Sequence, residues 1–142
     1  MLEDIAEFST VRVPIKRIVY YELMAKVTGF GGAFLRADDP KKLIAWYEEH
    51  LGISQKYGTF TFPAESQKSK IAVTFFARSA DYFPASQPAM LNFQVDNLDE
   101  LLDKLAGAGV AVDPKRDQHE YGRFGWFTDP EGNRVELWEP PA

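Results

Sequence analysis

Along residues 89–112, AMLNFQVDNLDELLDKLAGAGVAV, apolar and polar positions first alternate and then recur at helical spacing. Leu91, Phe93 and Val95 alternate with Asn92 and Gln94, the period of a strand with one buried face. Leu98, Leu101, Leu102 and Leu105 then form an apolar helical stripe, which Asn97 is placed to cap and Gly107 and Gly109 to end. Residues 31–53, GGAFLRADDPKKLIAWYEEHLGI, follow the same plan. Asp38 and Asp39 end a strand, Asp39 caps a helix that opens on Pro40, and Leu43, Tyr47 and Leu51 recur along it before Gly52. The two segments register at a constant offset, Asp38 answering Asp96 and Asp39 answering Asn97.

Strand-forming stretches follow each helix. After the first come Gln55–Phe62 and Lys70–Ala77; after the second come Val110–Val112, Arg123–Thr128 and Arg134–Trp138. SKIAV (69–73) resembles NRVEL (133–137) in pattern. The chain therefore predicts an α+β domain over residues 28–142, made of two strand–helix–strands modules at about 28–80 and 88–140. Residues 1–27 stand outside the repeat as an N-terminal extension. Val11, Val13 and Ile15 alternate there, and Pro14, which has no N–H, suits an edge strand. In FTDPEGNRVELW (127–138), Pro130 presets a type I turn and Gly132 can take positive φ, so DPEGN is first of all a turn between strands.

Composition narrows the function. The net charge of −5 argues against a nucleic-acid surface, which needs a basic face. With no cysteine there is no disulfide, thiolate metal site or cysteine nucleophile. No apolar run is long enough to span a bilayer. Without a signal-like start, a cytoplasmic protein with no membrane partner is expected. Imidazole can come only from His50, near the end of the first helix, and His119, in the stretch DQHEYGRF.

Three stretches carry a family resemblance: Asp38-Asp39-Pro40 with Trp46-Tyr47 and Leu51-Gly52; NFQVD at 92–96; and YGRFGWFTDPEGNRVELWEP at 121–140. Over roughly residues 28–140 the chain resembles the vicinal oxygen chelate superfamily of glyoxalase I, bleomycin-resistance proteins and extradiol dioxygenases. The resemblance implies two βαβββ modules whose curled mixed sheets enclose a cavity, and a homodimer. Metal-dependent members hold an ion with one side chain from the first and one from the last strand of each module. Those positions fall here on Gly32, Ala72, Met90 and Glu136, with Thr74 replacing Ala72 if the register slips by two. Only Glu136 is a competent ligand, whereas about three protein ligands are usual. No metal and no cofactor are therefore expected.

Strand alternation places Phe34, Arg36, Thr74, Phe76, Met90, Asn92, Gln94, Glu136 and Trp138 toward the cavity. Trp126, with Phe124 or Phe127 beside it, adds an aromatic wall, and Tyr121 and Arg123 lie at the mouth. Such a hollow, mostly apolar with a few polar groups, suits a small organic molecule, aromatic or cationic. Glu136 then either contacts that ligand or pairs with Arg36. Three readings stand. One is a metal-independent binding protein that sequesters a drug or metabolite. Another is an enzyme of the same superfamily, a lyase, isomerase or dioxygenase, with Glu136 as base or metal ligand. The third is an interaction module whose dimer surface matters more than its cavity.

Overall fold

The computed structural model describes residues 25–142 and the backbone of residues 5–8 and 11–14. It divides into two units, Met1–Ala33 and Phe34–Ala142. In the first, β1 (Ile5–Phe8) and β2 (Val11–Pro14) form an antiparallel hairpin with Ile5 opposite Pro14. Proline thus closes the ladder where an N–H is dispensable. Ile15 lies outside the described residues.

The second unit begins with α1 (Pro40–Leu51). Asp39 Oδ1 accepts from the Lys42 N–H at 3.2 Å, Pro40 occupies the first turn, and Gly52 ends the helix in the left-handed region at φ 65°. A short hairpin follows, β3 (Gln55–Lys56) and β4 (Thr59–Phe60), with positive φ at both Tyr57 and Gly58. That is the backbone of a tight two-residue turn. The second helix, α2 (Leu98–Gly107), carries the expected cap. Asn97 accepts from the Glu100 N–H at 3.1 Å, and its side-chain amide donates to the Glu100 carboxylate at 3.0 Å.

The sheet is mixed. Strands β5 (Asn92–Gln94), β6 (Ala111–Val112), β8 (Gly122–Thr128) and β9 (Arg134–Glu139) lie in the order β5-β9-β8-β6, and β7 (Asp117–His119) also pairs with β8. The β5–β9 pair is parallel, with Asn92 opposite Glu136 and Gln94 opposite Trp138. The β8–β9 pair is antiparallel, with Trp126 opposite Glu136 and Phe124 opposite Trp138. One face is buried by the helices. Leu98, Leu102 and Leu105 of α2 meet Phe127, Val135 and Leu137, and Tyr47 of α1 joins the same cluster. Each fully buried aliphatic side chain contributes about 1.5–3 kcal/mol. The Trp46 ring lies 5.8 Å from Phe127.

The second half of the chain thus forms its β–α–strand module as the pattern predicts. In the first half, of the stretch expected over Gln55–Phe62 only β3 and β4 pair, and Lys70–Ala77 joins no ladder. A strand needs a neighbour for its N–H and C=O groups, and alternation of side chains does not supply one.

The DPEGN turn fastens α1 to the sheet. The Gly132 N–H closes the turn onto the Asp129 carbonyl at 3.0 Å, and Gly132 has φ 83°. Asp129 accepts from its own turn, at Glu131 N and Asn133 N, and from the buried Tyr47 hydroxyl at 2.8 Å. Glu131 reaches the start of α1 and accepts from Asp38 N at 2.5 Å and Asp39 N at 2.9 Å.

Candidate functional site

Period two sends Glu136 to the side of β9 away from Val135 and Leu137, and so away from the helices. Its neighbours there are set by register: Asn92 on β5 and Trp126 on β8. Both donate to it, Asn92 Nδ2 to Oε1 at 2.6 Å and the Trp126 indole N–H to Oε2 at 2.9 Å. A third donor is the Tyr82 hydroxyl, which bonds Oε2. Glu136 is 7% exposed, and among the described residues it has no cationic partner within ion-pair distance. Burial, then the hydrogen bond to Glu136, pushes the Tyr82 phenol well above its ordinary range. Tyr82 therefore remains a proton donor to the carboxylate.

Tyr82 arrives on a strap that folds back over the sheet. Its ring meets Trp126 edge-on at 5.8 Å and Phe76 at 5.2 Å, and Phe76 also packs on Phe83. Arg134 Nε donates to the Tyr82 carbonyl at 3.1 Å. Farther along the strap, the Gln87 amide bonds both the N–H and the C=O of Arg134, as a neighbouring strand would.

A second aromatic group lies one row along the same face. Phe124 and Trp138 are stacked at 6.1 Å, and His119 and Tyr121 are stacked at 4.9 Å with edges toward Phe124. The Trp138 indole donates to the Tyr121 carbonyl at 2.9 Å. Its ring lies flat over Gly122, where a Cβ would come within 2.4 Å of Nε1 and 2.5 Å of the Glu139 carbonyl. Gly122, at φ 128°, is what lets the indole settle there.

The structure therefore gathers Asn92, Trp126, Glu136 and Trp138 on one face, with Tyr121 and Phe76 beside them. Gln94 lies opposite Trp138, but its amide is used to hold the backbone of Lys68, Ser69 and Lys70. Phe34, Arg36 and Thr74 are exposed, and Met90 is half-buried just before β5. Arg36 does not pair with Glu136; Tyr82, Asn92 and Trp126 occupy that carboxylate instead. Arg123 is not at a cavity mouth. It shares the parity of Gly125 and Phe127, so it points to α2 and clamps Asp99 at 2.8 and 3.0 Å. Phe127 belongs to the helix-side core and is no part of the aromatic wall. Trp126 is 1% exposed and supports the site from beneath. Tyr82 was missed because it sits in a loop, DYFPASQP, with no periodicity to say where the loop returns.

A separate groove of about 500 Å³ opens at the end of α1, lined by Leu51, Ile53, Phe62, Phe93, Val95 and Leu101. Of the expected site residues only Gln94 reaches it.

The donor set does not fit a divalent ion. The carboxylate oxygens of Glu136 receive the hydrogens of an indole, an amide and a phenol, and an indole N–H cannot ligate a metal. Among the described residues no group of three His, Asp or Glu side chains converges.

Residues 27–137 match the model of the Glyoxalase/Bleomycin resistance protein/Dioxygenase superfamily. Among curated proteins no sequence match was found. The fold is similar to that of a genomically encoded fosfomycin resistance protein, FosX, from Listeria monocytogenes. The two are 17% identical, 82% of this chain and 96% of that one are covered, and the TM-score is 0.53. Looser similarity extends to TnmS3, an antibiotic binding protein from Streptomyces sp. CB03234 (22% identity, 84% and 98% covered, TM-score 0.48). It extends also to lactoylglutathione lyase from Agrobacterium tumefaciens (17%, 81% and 96%, TM-score 0.48).

Proposed function

The chain belongs to the glyoxalase/bleomycin resistance protein/dioxygenase superfamily, and on that premise we propose that it binds a small aromatic molecule on the sheet face around Glu136, without a divalent ion, and so sequesters a drug or metabolite. The observation that carries this reading is the state of Glu136. It is a nearly buried carboxylate, oriented by three neutral donors and flanked by aromatic rings, with no cation of its own among the described residues. A buried charge without a counter-charge is costly, and a ligand carrying positive charge would offset that cost. The exposed part of the face, Tyr121 with Phe124 and Trp138, offers flat surface for stacking. A homodimer is part of the proposal, because the first half of the chain leaves strand-like stretches unpaired.

Trp126 and Trp138 lie on this face and Trp46 lies on α1, so tryptophan fluorescence reports the site. Titration with a panel of flat aromatic cations is expected to give saturable quenching at one site per chain. Glu136→Gln should weaken the cations by about tenfold, the worth of a hydrogen bond to a charged group, and leave aromatics that carry neither charge nor hydroxyl unchanged. Absence of saturable quenching across the panel would sink the proposal.

A second reading, a lyase or isomerase with Glu136 as general base, draws on one feature. Oε1 accepts a single hydrogen bond, from Asn92, and has a lone pair left for a substrate proton. Under that reading Glu136→Gln abolishes turnover and retains binding.

A further inference from the structure

The contact that closes Glu136 is made by the protein's own phenol. Tyr82 lies on a partly exposed strap, whereas the other two donors, Asn92 and Trp126, are fixed by the strand register. Its hydroxyl donates to Oε2, its ring meets Trp126 edge-on, and Phe76 packs against the same ring. A complete recognition set for a hydroxylated aromatic ring is thus present and filled: a charged acceptor, an indole wall and a second ring. We propose that Tyr82 is an internal stand-in for the ligand, and that the Glu136 site takes a phenolic ring, which displaces Tyr82 and donates its own O–H to Oε2.

This rests on the binding reading above and refines it to one chemical class. Trp126 Nε1 and Asn92 Nδ2 hold the carboxylate in place whichever phenol is present, so the exchange costs no rearrangement of the sheet. Arg134 holds the strap through the Tyr82 carbonyl and not through its side chain, so the phenol can leave while the strap remains anchored. The exchange swaps one O–H···O⁻ bond for another of the same kind. Affinity in the wild-type protein is therefore set by competition with Tyr82.

The test compares p-cresol with p-methylanisole, which has the same ring and no donor, on the full chain by tryptophan fluorescence. Tyr82→Phe keeps the ring of the strap and removes only the competing hydroxyl. The expected result is about tenfold tighter p-cresol binding to Tyr82→Phe than to wild type, from the loss of a competing bond to a charged group. Binding of p-methylanisole, which meets the same weakened competitor, should gain too but stay about tenfold weaker than that of p-cresol for want of the O–H, and the p-cresol gain should vanish when Glu136→Gln is added. Circular dichroism checks that both variants fold. If both probes bind but p-cresol gains nothing in Tyr82→Phe, displacement is overturned and the binding face stands. If neither probe, nor the aromatic cations, binds any variant, both proposals fall together.

Discussion

Asp129 shows how much a single side chain can hold in this fold. Buried beside α1, it accepts from the Tyr47 hydroxyl, from the backbone of Glu131 and Asn133, and from the Asn133 amide. The Tyr47 phenol is pushed well above its usual range, first by burial and then by the Asp129 charge, so it stays a neutral donor. Asp129→Ala strands all these donors at once and should cost about 3 kcal/mol in urea denaturation. Tyr47→Phe removes one bond and should cost about 1 kcal/mol. Equal losses would mean that the phenol, and not the carboxylate, organises the turn. The sequence discloses half of this: DPEGN reads as a turn from Pro130 and Gly132 alone. That Asp129 also receives a tyrosine far back in the chain has no local signal. Arg123 is the opposite case: its parity with Phe127 is readable in the sequence and puts it on the helix side, against Asp99 and not at a cavity mouth.

Between elements, α2 is tied to the sheet by charge as well as by leucines. Asp99 takes Arg123 of β8 and Arg116 before β7, and Arg116 also holds Asp103. Hydrogen bonds from Arg123 first and Arg116 second bring the Asp99 carboxyl down to about 2. Asp113 is lowered too, chiefly by the Lys115 N–H and also by Arg134. A carboxylate whose folded pKa is depressed adds stability above its unfolded value of about 4, and that stability is lost as pH falls toward the folded one. The melting temperature should therefore drop between about pH 4 and about pH 2, and Asp99→Asn should flatten that drop. Because the pair is exposed, added salt should shrink the difference between the two proteins; a difference indifferent to salt would refute a charge origin. At this scale the sequence was most readable. Both helices, their caps at Asp39 and Asn97, and strands β5, β8 and β9 follow from periodicity and capping chemistry, which are local. The pairing of Lys70–Ala77 is not local, and there the expectation of a strand was unmet.

For the whole molecule, that unmet expectation has a physical consequence. Phe34 is 99% and Phe75 94% exposed, and Ile71 and Val73 are more than half exposed. Exposed apolar side chains on stretches that join no ladder favour association. The homodimer proposed above is expected to appear in sedimentation as a concentration-dependent shift from one chain to two. Phe75→Glu should move the equilibrium toward single chains while leaving the α2–sheet core folded. A wild-type chain that sediments as one copy at all concentrations would overturn the dimer.

The β8–β9 hairpin supplies glutamates that hold the backbone at the start of both helices. Glu131 accepts from the N–H groups of Asp38 and Asp39, the two residues leading into α1, and Glu139 accepts from Leu98 N at 2.8 Å at the start of α2. Glu131 follows Asp39 by 92 positions. During synthesis at about 5–20 residues per second, roughly 5–20 s separate the appearance of the α1 start from that of the carboxylate that anchors it. Over that interval α1 has Asp39 and Pro40 to begin it, but neither the Glu131 carboxylate nor Phe127 to rest on. Translation speed through the last strands, and chaperones that shelter a half-built helix, therefore bear on the yield of folded protein. A ribosome stalled before β8 would hold a chain whose two helices lack both these glutamates and the wall they pack against.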